Sequence, residues 1–175
     1  MATILQILKN DLNTREQNER KVGRYHASEI QKILSGEITP ENFFEKKEFD
    51  EKASWNIAWG EILEEGLTER FKKAKVKCQY QVKKEIKING FVIVCKADFL
   101  FKDFVLELKV PLRERKSISK FHYPQLECYF RAWKKPVKIL YFSRNGYKVF
   151  DYQPDEELWE RIKEKVGVFH QKLTN

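Results

Sequence analysis

Apolar and polar positions alternate through the middle of the chain, and from Tyr80 to Val110 this period of two predicts three consecutive antiparallel strands. Asn89-Gly90 supplies the first turn, because a two-residue type I′ loop needs positive φ at both central residues. Counting outward pairs Ile88 with Phe91, Ile86 with Ile93, Val82 with Ala97 and Gln81 with Asp98. A second turn around Lys102-Asp103 pairs Phe101 with Phe104, Leu100 with Val105 and Asp98 with Glu107. One face of these strands is then a core, with Val82, Ile86, Ile93, Cys95, Ala97, Phe99, Phe101, Leu106 and Leu108. The other face carries Gln81, Lys83, Lys96, Asp98, Glu107 and Lys109.

Elsewhere the period is helical. A helix is predicted over residues 1–20. Ser28 and Gln31 have capping-box spacing before a short helix that Gly36 stops, and Thr39-Pro40 starts another helical turn. Ser54 caps a long helix to about Lys73, whose stripe is Trp55, Trp59, Ile62, Leu63, Gly66 and Leu67. A helix from about Pro124 to Lys134 buries Leu126, Phe130 and Trp133. Val137 to Phe142 and Tyr147 to Tyr152 are strands around a second primed turn, Asn145-Gly146. Pro154 opens the last helix, with Leu158, Ile162, Val166, Phe169 and Leu173 inward. The helix between the third and fourth strands is long enough for a parallel crossover. The expected architecture is an α/β mixed five-stranded sheet flanked by helices, one domain over residues 1–175 with a helical N-terminal segment, 1–75.

Charge and cysteines narrow the partners. The formal net charge of +8 favours a polyanion or a solvated basic surface, and 14% aromatic residues suffice for a packed core. Cys78, Cys95 and Cys128 are an odd, isolated set without C-x-x-C spacing, so they read as reduced residues of an intracellular, cytoplasmic protein. His26, His122 and His170 are too scattered for a zinc site. No secretory signal or membrane-spanning run is visible.

Asp98, Glu107 and Lys109 are the candidate chemistry. Two carboxylates on one sheet face can hold a hard cation such as Mg²⁺, which polarises a phosphate and lowers the pKa of a water. A Glu-x-Lys tripeptide alone says nothing, since Glu45-Lys46-Lys47 and Glu85-Ile86-Lys87 recur in a chain that is 34% charged. The signal lies in a Glu and a Lys interrupting the apolar run Phe104 to Val110, where a structural strand would hold Thr or Val. Lys83, Lys96, Arg113, Arg115, Lys116 and Lys120 lie on or near the same face and would offset phosphate charge. Phe121 and Tyr123 could stack on unpaired bases or anchor their helix.

Ala97-Asp98 through Glu107-Leu108-Lys109, followed by His122-x-x-Gln125-Leu126-x-x-Tyr129, resembles the PD-(D/E)xK nuclease superfamily, in the branch of RecB-type and CRISPR-associated exonucleases. Trp59-Gly60-x-x-x-Glu64 is similar to the helix that carries a metal-site His or Glu, in its lambda-type exonuclease version. The resemblance implies a restriction-endonuclease-like fold and a Mg²⁺- or Mn²⁺-dependent deoxyribonuclease acting on DNA ends or single strands. It implies Asp98, Glu107, the Leu108 carbonyl and Glu64 as metal ligands, Lys109 as catalytic, and Gln125 and Tyr129 as positioning the nucleic-acid backbone. CRISPR-associated relatives carry four cysteines for an iron–sulfur cluster; three scattered ones cannot supply them, so no cluster is expected. The alternatives are a structure-selective endonuclease such as a junction resolvase, and a non-catalytic nucleic-acid-binding module.

Overall fold

The structure, a computed structural model, describes residues 20–45 and 51–175, with side chains from Trp55 onward in the second stretch. All but the last residue of the expected 1–20 helix lies outside the described residues. In chain order the elements are β1 (Arg24–His26), α1 (Ile30–Leu34), α2 (Glu51–Lys73), β2 (Cys78–Ile88), β3 (Phe91–Phe101), β4 (Val105–Lys109), α3 (Tyr123–Trp133), β5 (Val137–Ser143), β6 (Gly146–Tyr152) and α4 (Glu156–Thr174). The sheet is mixed and has six strands rather than five. β1 was not foreseen because three residues are too few to show alternation; it runs parallel to the start of β3, with Tyr25 opposite Ile93.

The Asn89-Gly90 hairpin has the expected register, Ile88 opposite Phe91 and Val82 opposite Ala97. Only Gly90 takes a positive φ there (+87°), so the turn is not the expected type I′. β4 pairs as counted at Leu100–Val105 and Phe99–Leu106, but the ladder ends there and the expected Asp98–Glu107 pair is not part of it; β4 continues in parallel with β5 across the α3 crossover. The β5–β6 hairpin departs by one position. Ser143 faces Gly146, so Arg144 and Asn145 form the loop and Gly146 begins the strand.

The single core face is the main correction. Ile93, Cys95 and Ala97 pack with α3 and α4, whereas Phe99, of the same parity, packs on the opposite layer with Leu63, Leu67 and Phe71 of α2. The switch falls across Gln81 and Asp98, the expected pair missing from an otherwise continuous ladder. Gln81 has φ +52°. A left-handed conformation costs a side-chain-bearing residue roughly 1–2 kcal/mol, and here it reverses which face the following residues present. Both faces of the sheet are therefore covered, by α2 on one side and by α1, α3 and α4 on the other.

Helix details follow from this layering. On α2 the covered side is Ala58, Leu63, Leu67 and Phe71, and the Phe71 and Phe99 rings meet edge-on at 5.3 Å, a contact worth about 0.5–1.5 kcal/mol beyond burial. Trp55, Trp59 and Ile62, expected in the core stripe, are exposed. α2 begins at Glu51, which leaves Ser54 inside the helix rather than at its cap. A 3₁₀ turn over Ala27–Glu29 precedes α1 and no side chain caps it, so the Ser28 capping box does not form. Residues 40–44 are turn rather than helix. The Asp155 side chain caps α4 through the Leu158 amide, one position after Pro154. Among the described residues no helix is long and apolar enough to cross a membrane.

Candidate active site

β3 has β2 along one edge, while β1 covers the first half of its other edge and β4 the last. Between β1 and β4 the backbone around Lys96 has no strand on that edge. Side chains from α3 fill that gap: the Tyr129 hydroxyl donates to the Lys96 carbonyl, and Gln125, one helical turn earlier, donates to Tyr129 Oη and to Glu107 Oε1, each at 2.8 Å. Asp98 and Glu107 thus stand where the sheet is opened by its own topology.

The carboxylates are held firmly. Asp98 Oδ2 accepts the Leu108 amide at 2.7 Å, taking over from the backbone ladder where β4 diverges. Glu107, 3% exposed, accepts Lys109 Nζ at 2.6 Å on the same Oε1 that Gln125 holds. Its Oε2 has no partner. Among the described residues, only Glu107 Oε2 and Gln81 Oε1 are buried side-chain polar atoms without a hydrogen bond. An unpartnered carboxylate oxygen in a protein interior costs about 1–3 kcal/mol or more unless something cationic meets it.

Charge at the site is unbalanced in the same sense. Burial, with Glu107 nearby, pushes the Asp98 carboxyl up to about 8, against the stabilising Leu108 amide. Burial also raises Glu64, opposed by Lys96. Burial pulls Lys109 down, but the adjacent Glu107 carboxylate outweighs it and keeps the ammonium charged. Burial and the nearby Lys109 and Arg115 cations hold His122 down to about 4, leaving it neutral. A cation between Asp98 and Glu107 would reverse the raised Asp98 value and satisfy Glu107 Oε2 together, so the donor set fits a hard divalent ion. Among the described residues no three His, Cys, Asp or Glu side chains converge tightly enough to enclose one. Two carboxylates completed by backbone oxygen and water is a usual arrangement for Mg²⁺.

Glu64 reaches the site from α2. It lines the same grooves as Asp98, and Gln81 Nε2 donates to its Oε1. Gln81 was placed on the polar face by register but not singled out; its left-handed backbone and orphaned oxygen have no signature in the sequence. Gln125 and Tyr129, expected to touch nucleic acid, are buried and spend their hydrogen bonds on Glu107 and the Lys96 carbonyl. They share one face of α3, as the i, i+4 spacing required, and that face is turned to the sheet. Lys96 lines the groove beside Glu64 and lies opposite Lys83, while Arg113, Arg115 and Lys116 are exposed in the loop after β4. Phe121 is exposed and Tyr123 packs edge-on against Tyr152.

No family model matches the chain, and no curated protein matches it. Solved structures do. The protein SSO0001 superposes with a TM-score of 0.68 at 18% identity, over 95% of this chain and 87% of that one. An alkaline exonuclease from Laribacter hongkongensis matches with a TM-score of 0.63 at 13% identity, over 87% of this chain and 89% of its own. A phage-related exonuclease from Haemophilus somnus 129PT matches with a TM-score of 0.60 at 13% identity, over 86% and 95%. At such identities the likeness is one of fold. The chain shares the mixed α/β fold of these exonucleases.

Proposed function

We propose that the chain is a metal-dependent deoxyribonuclease of RecB-like type that hydrolyses phosphodiester bonds at DNA ends or in single strands. The observation that carries this reading is the unpartnered Glu107 Oε2 beside Asp98, two carboxylates arranged so that a divalent cation improves both. The fold shared with two exonucleases supports it, and the Laribacter hongkongensis exonuclease has also been solved with dAMP.

In this reading Mg²⁺ or Mn²⁺, held by Asp98, Glu107, the Leu108 carbonyl and Glu64, supplies Lewis-acid polarisation of the phosphate and a lowered water pKa. The remaining work belongs to the chain. Lys109, kept protonated by Glu107, presents a cation to charge building on the phosphorus oxygens. Gln125 and Tyr129 fix the Glu107 carboxylate, as outer-shell partners do, and the Leu108 amide fixes Asp98. Lys96, Arg113, Arg115 and Lys116 meet the phosphates of the bound strand, a salt-sensitive contribution.

Labelled linear and circular DNA, single- and double-stranded, incubated with Mg²⁺ or Mn²⁺ tests this directly. Cleavage is expected to stop in EDTA and to vanish in Glu107→Gln combined with Lys109→Ala. Calorimetric Mn²⁺ binding is expected to disappear in Asp98→Asn. Cleavage that survives the double substitution, or DNA retention with neither cleavage nor Mn²⁺ binding, overturns the reading.

A further inference from the structure

The groove between α2 and β4 that holds Asp98, Glu107 and Lys109 continues in two directions, and their linings differ in charge. Toward the C-terminal end of α2 it opens, through the shared Glu61, Glu64 and Asp98, into a space of about 630 Å³ whose walls add Glu65 and Glu69 together with Lys72, which pairs with Glu69, and Lys96. Toward the N-terminal end it opens, through the shared Asn56 and Val110, into a space of about 410 Å³ lined by Trp55, Trp59, Leu112 and Phe142. That second lining contains no carboxylate and one cation, Arg144. A polyanion leaving the Asp98–Glu107 centre meets five carboxylates against two lysines one way, with Lys96 at the entrance, and apolar rings with a guanidinium and no carboxylate the other.

We propose that the N-terminal groove binds unpaired nucleotides of a single nucleic-acid strand, with Trp55 and Trp59 as base-stacking platforms and Arg144 facing the backbone. The assignment rests on the nuclease reading for its starting point and adds the direction of the strand and the form of substrate. Trp59 is 57% exposed and Trp55 37%, and both line the groove, so each indole has surface open to a ligand there. They are four residues apart on one helix face, so their Cα atoms rise about 6 Å along the axis. That is on the scale of two base intervals of about 3.4 Å, so successive bases of one strand can reach both. A base inside a duplex is already stacked and paired, so only an unpaired one gains from such a platform.

Intrinsic fluorescence titrated with a short oligothymidylate in EDTA tests this, and reads binding apart from cleavage. Trp133 and Trp159 are buried, so quenching reports on Trp55 and Trp59. Trp59→Leu keeps apolar surface but no stacking face, and is expected to weaken the oligonucleotide by about 5-fold to about 150-fold, with Trp59→Phe recovering most of it. A duplex of equal length is expected to quench little. Glu65→Gln with Glu69→Gln is expected to change single-strand affinity less than twofold. The proposal is overturned if Trp59→Leu binds as the wild type does, or if neutralising Glu65 and Glu69 is what alters affinity. It is equally overturned if Trp59→Leu dissolves a concentration-dependent dimer in sedimentation while leaving oligonucleotide affinity intact. Cleavage that persists with such a result would spare the nuclease reading.

Discussion

Glu107 and Glu127 are the two glutamates sealed inside the described molecule, 3% and 0% exposed, and they differ in what their oxygens touch. Glu127 is complete: Arg131 Nε donates to Oε1 at 2.7 Å, and the Tyr152 hydroxyl and Asp155 amide donate to Oε2 at 2.6 and 2.9 Å. It ties α3 to the end of β6 and the start of α4. Glu107 has both of its donors crowded on one oxygen and none on the other. A buried carboxylate with both oxygens answered is architecture; one with an oxygen left over has a place that a cation would fill.

The sharpest way to break this contrast is to remove each charge. Glu107→Gln is expected to reduce cleavage by more than about 10³-fold, since losing outer-shell partners of a metal already costs about 10–100-fold. In EDTA its melting temperature should change little, because the orphaned Oε2 is gone while Lys109 loses its carboxylate partner. A melting temperature that falls steeply would make Glu107 architectural too. The pH dependence follows from Asp98, whose carboxyl is raised from 3.8 to about 8 by burial and Glu107. The folded state holds that proton more tightly than the unfolded one, so its stabilising effect is complete below pH 3.8 and lost as pH rises through about 8. Metal-free protein should therefore melt lower as pH increases across that window, Asp98→Asn should flatten the dependence, and Mn²⁺ should reverse it.

Glu127→Ala is expected to behave in the opposite way, losing about 3 kcal/mol in denaturant melts by stranding buried donors, while activity per folded molecule is retained. If it abolishes cleavage at temperatures where it is folded, the division between the two glutamates fails. Tyr129→Phe lies between these cases. It removes the hydroxyl that bridges Gln125 and the Lys96 carbonyl, and is expected to lower kcat by about 10–100-fold with little change in KM for DNA. An effect on KM alone would return Tyr129 to the substrate-contacting role that the nuclease resemblance implied.

Glu107 was legible in the sequence because a charge inside Phe104–Val110 violates a two-sided apolar strand, and Asp98 because counting from Lys102-Asp103 set it against Glu107, although the β3–β4 ladder ends one pair short of them. Glu127 was not. A glutamate in mid-helix four residues before an arginine looks like surface charge, and the groups that bury it, Tyr152 and Asp155, are 25 and 28 residues away. α2 shows the complementary limit. Its period gave one apolar stripe of six residues, of which the structure covers Leu63 and Leu67 and leaves Trp55, Trp59, Ile62 and Gly66 outside; only the docked helix decides which edge of such a stripe meets the sheet. The face switch in β3 was hidden for a related reason: alternation counts residues and assumes that each one turns the chain by the same amount.

Gln81 is where that assumption fails, and it carries the smallest expected effect and the finest test. Its Oε1 is the second buried oxygen without a partner, its amide is given to Glu64, and its φ of +52° suits glycine better than glutamine. Gln81→Gly relieves backbone strain of roughly 1–2 kcal/mol and adds back roughly 0.5–1 kcal/mol of chain entropy, so metal-free stability should change by about 1 kcal/mol or less, upward. Gln81→Ala keeps the strain and loses the same amide, so it should melt below Gln81→Gly. If orphaned oxygens mark the working site, both variants should weaken Mn²⁺ by about tenfold through a loosened Glu64, whatever their melting temperatures. Equal Mn²⁺ affinity in the wild type and both variants would show Gln81 to be a bend in the sheet and nothing more, and would leave Glu107 Oε2 as the one orphan that means a cation.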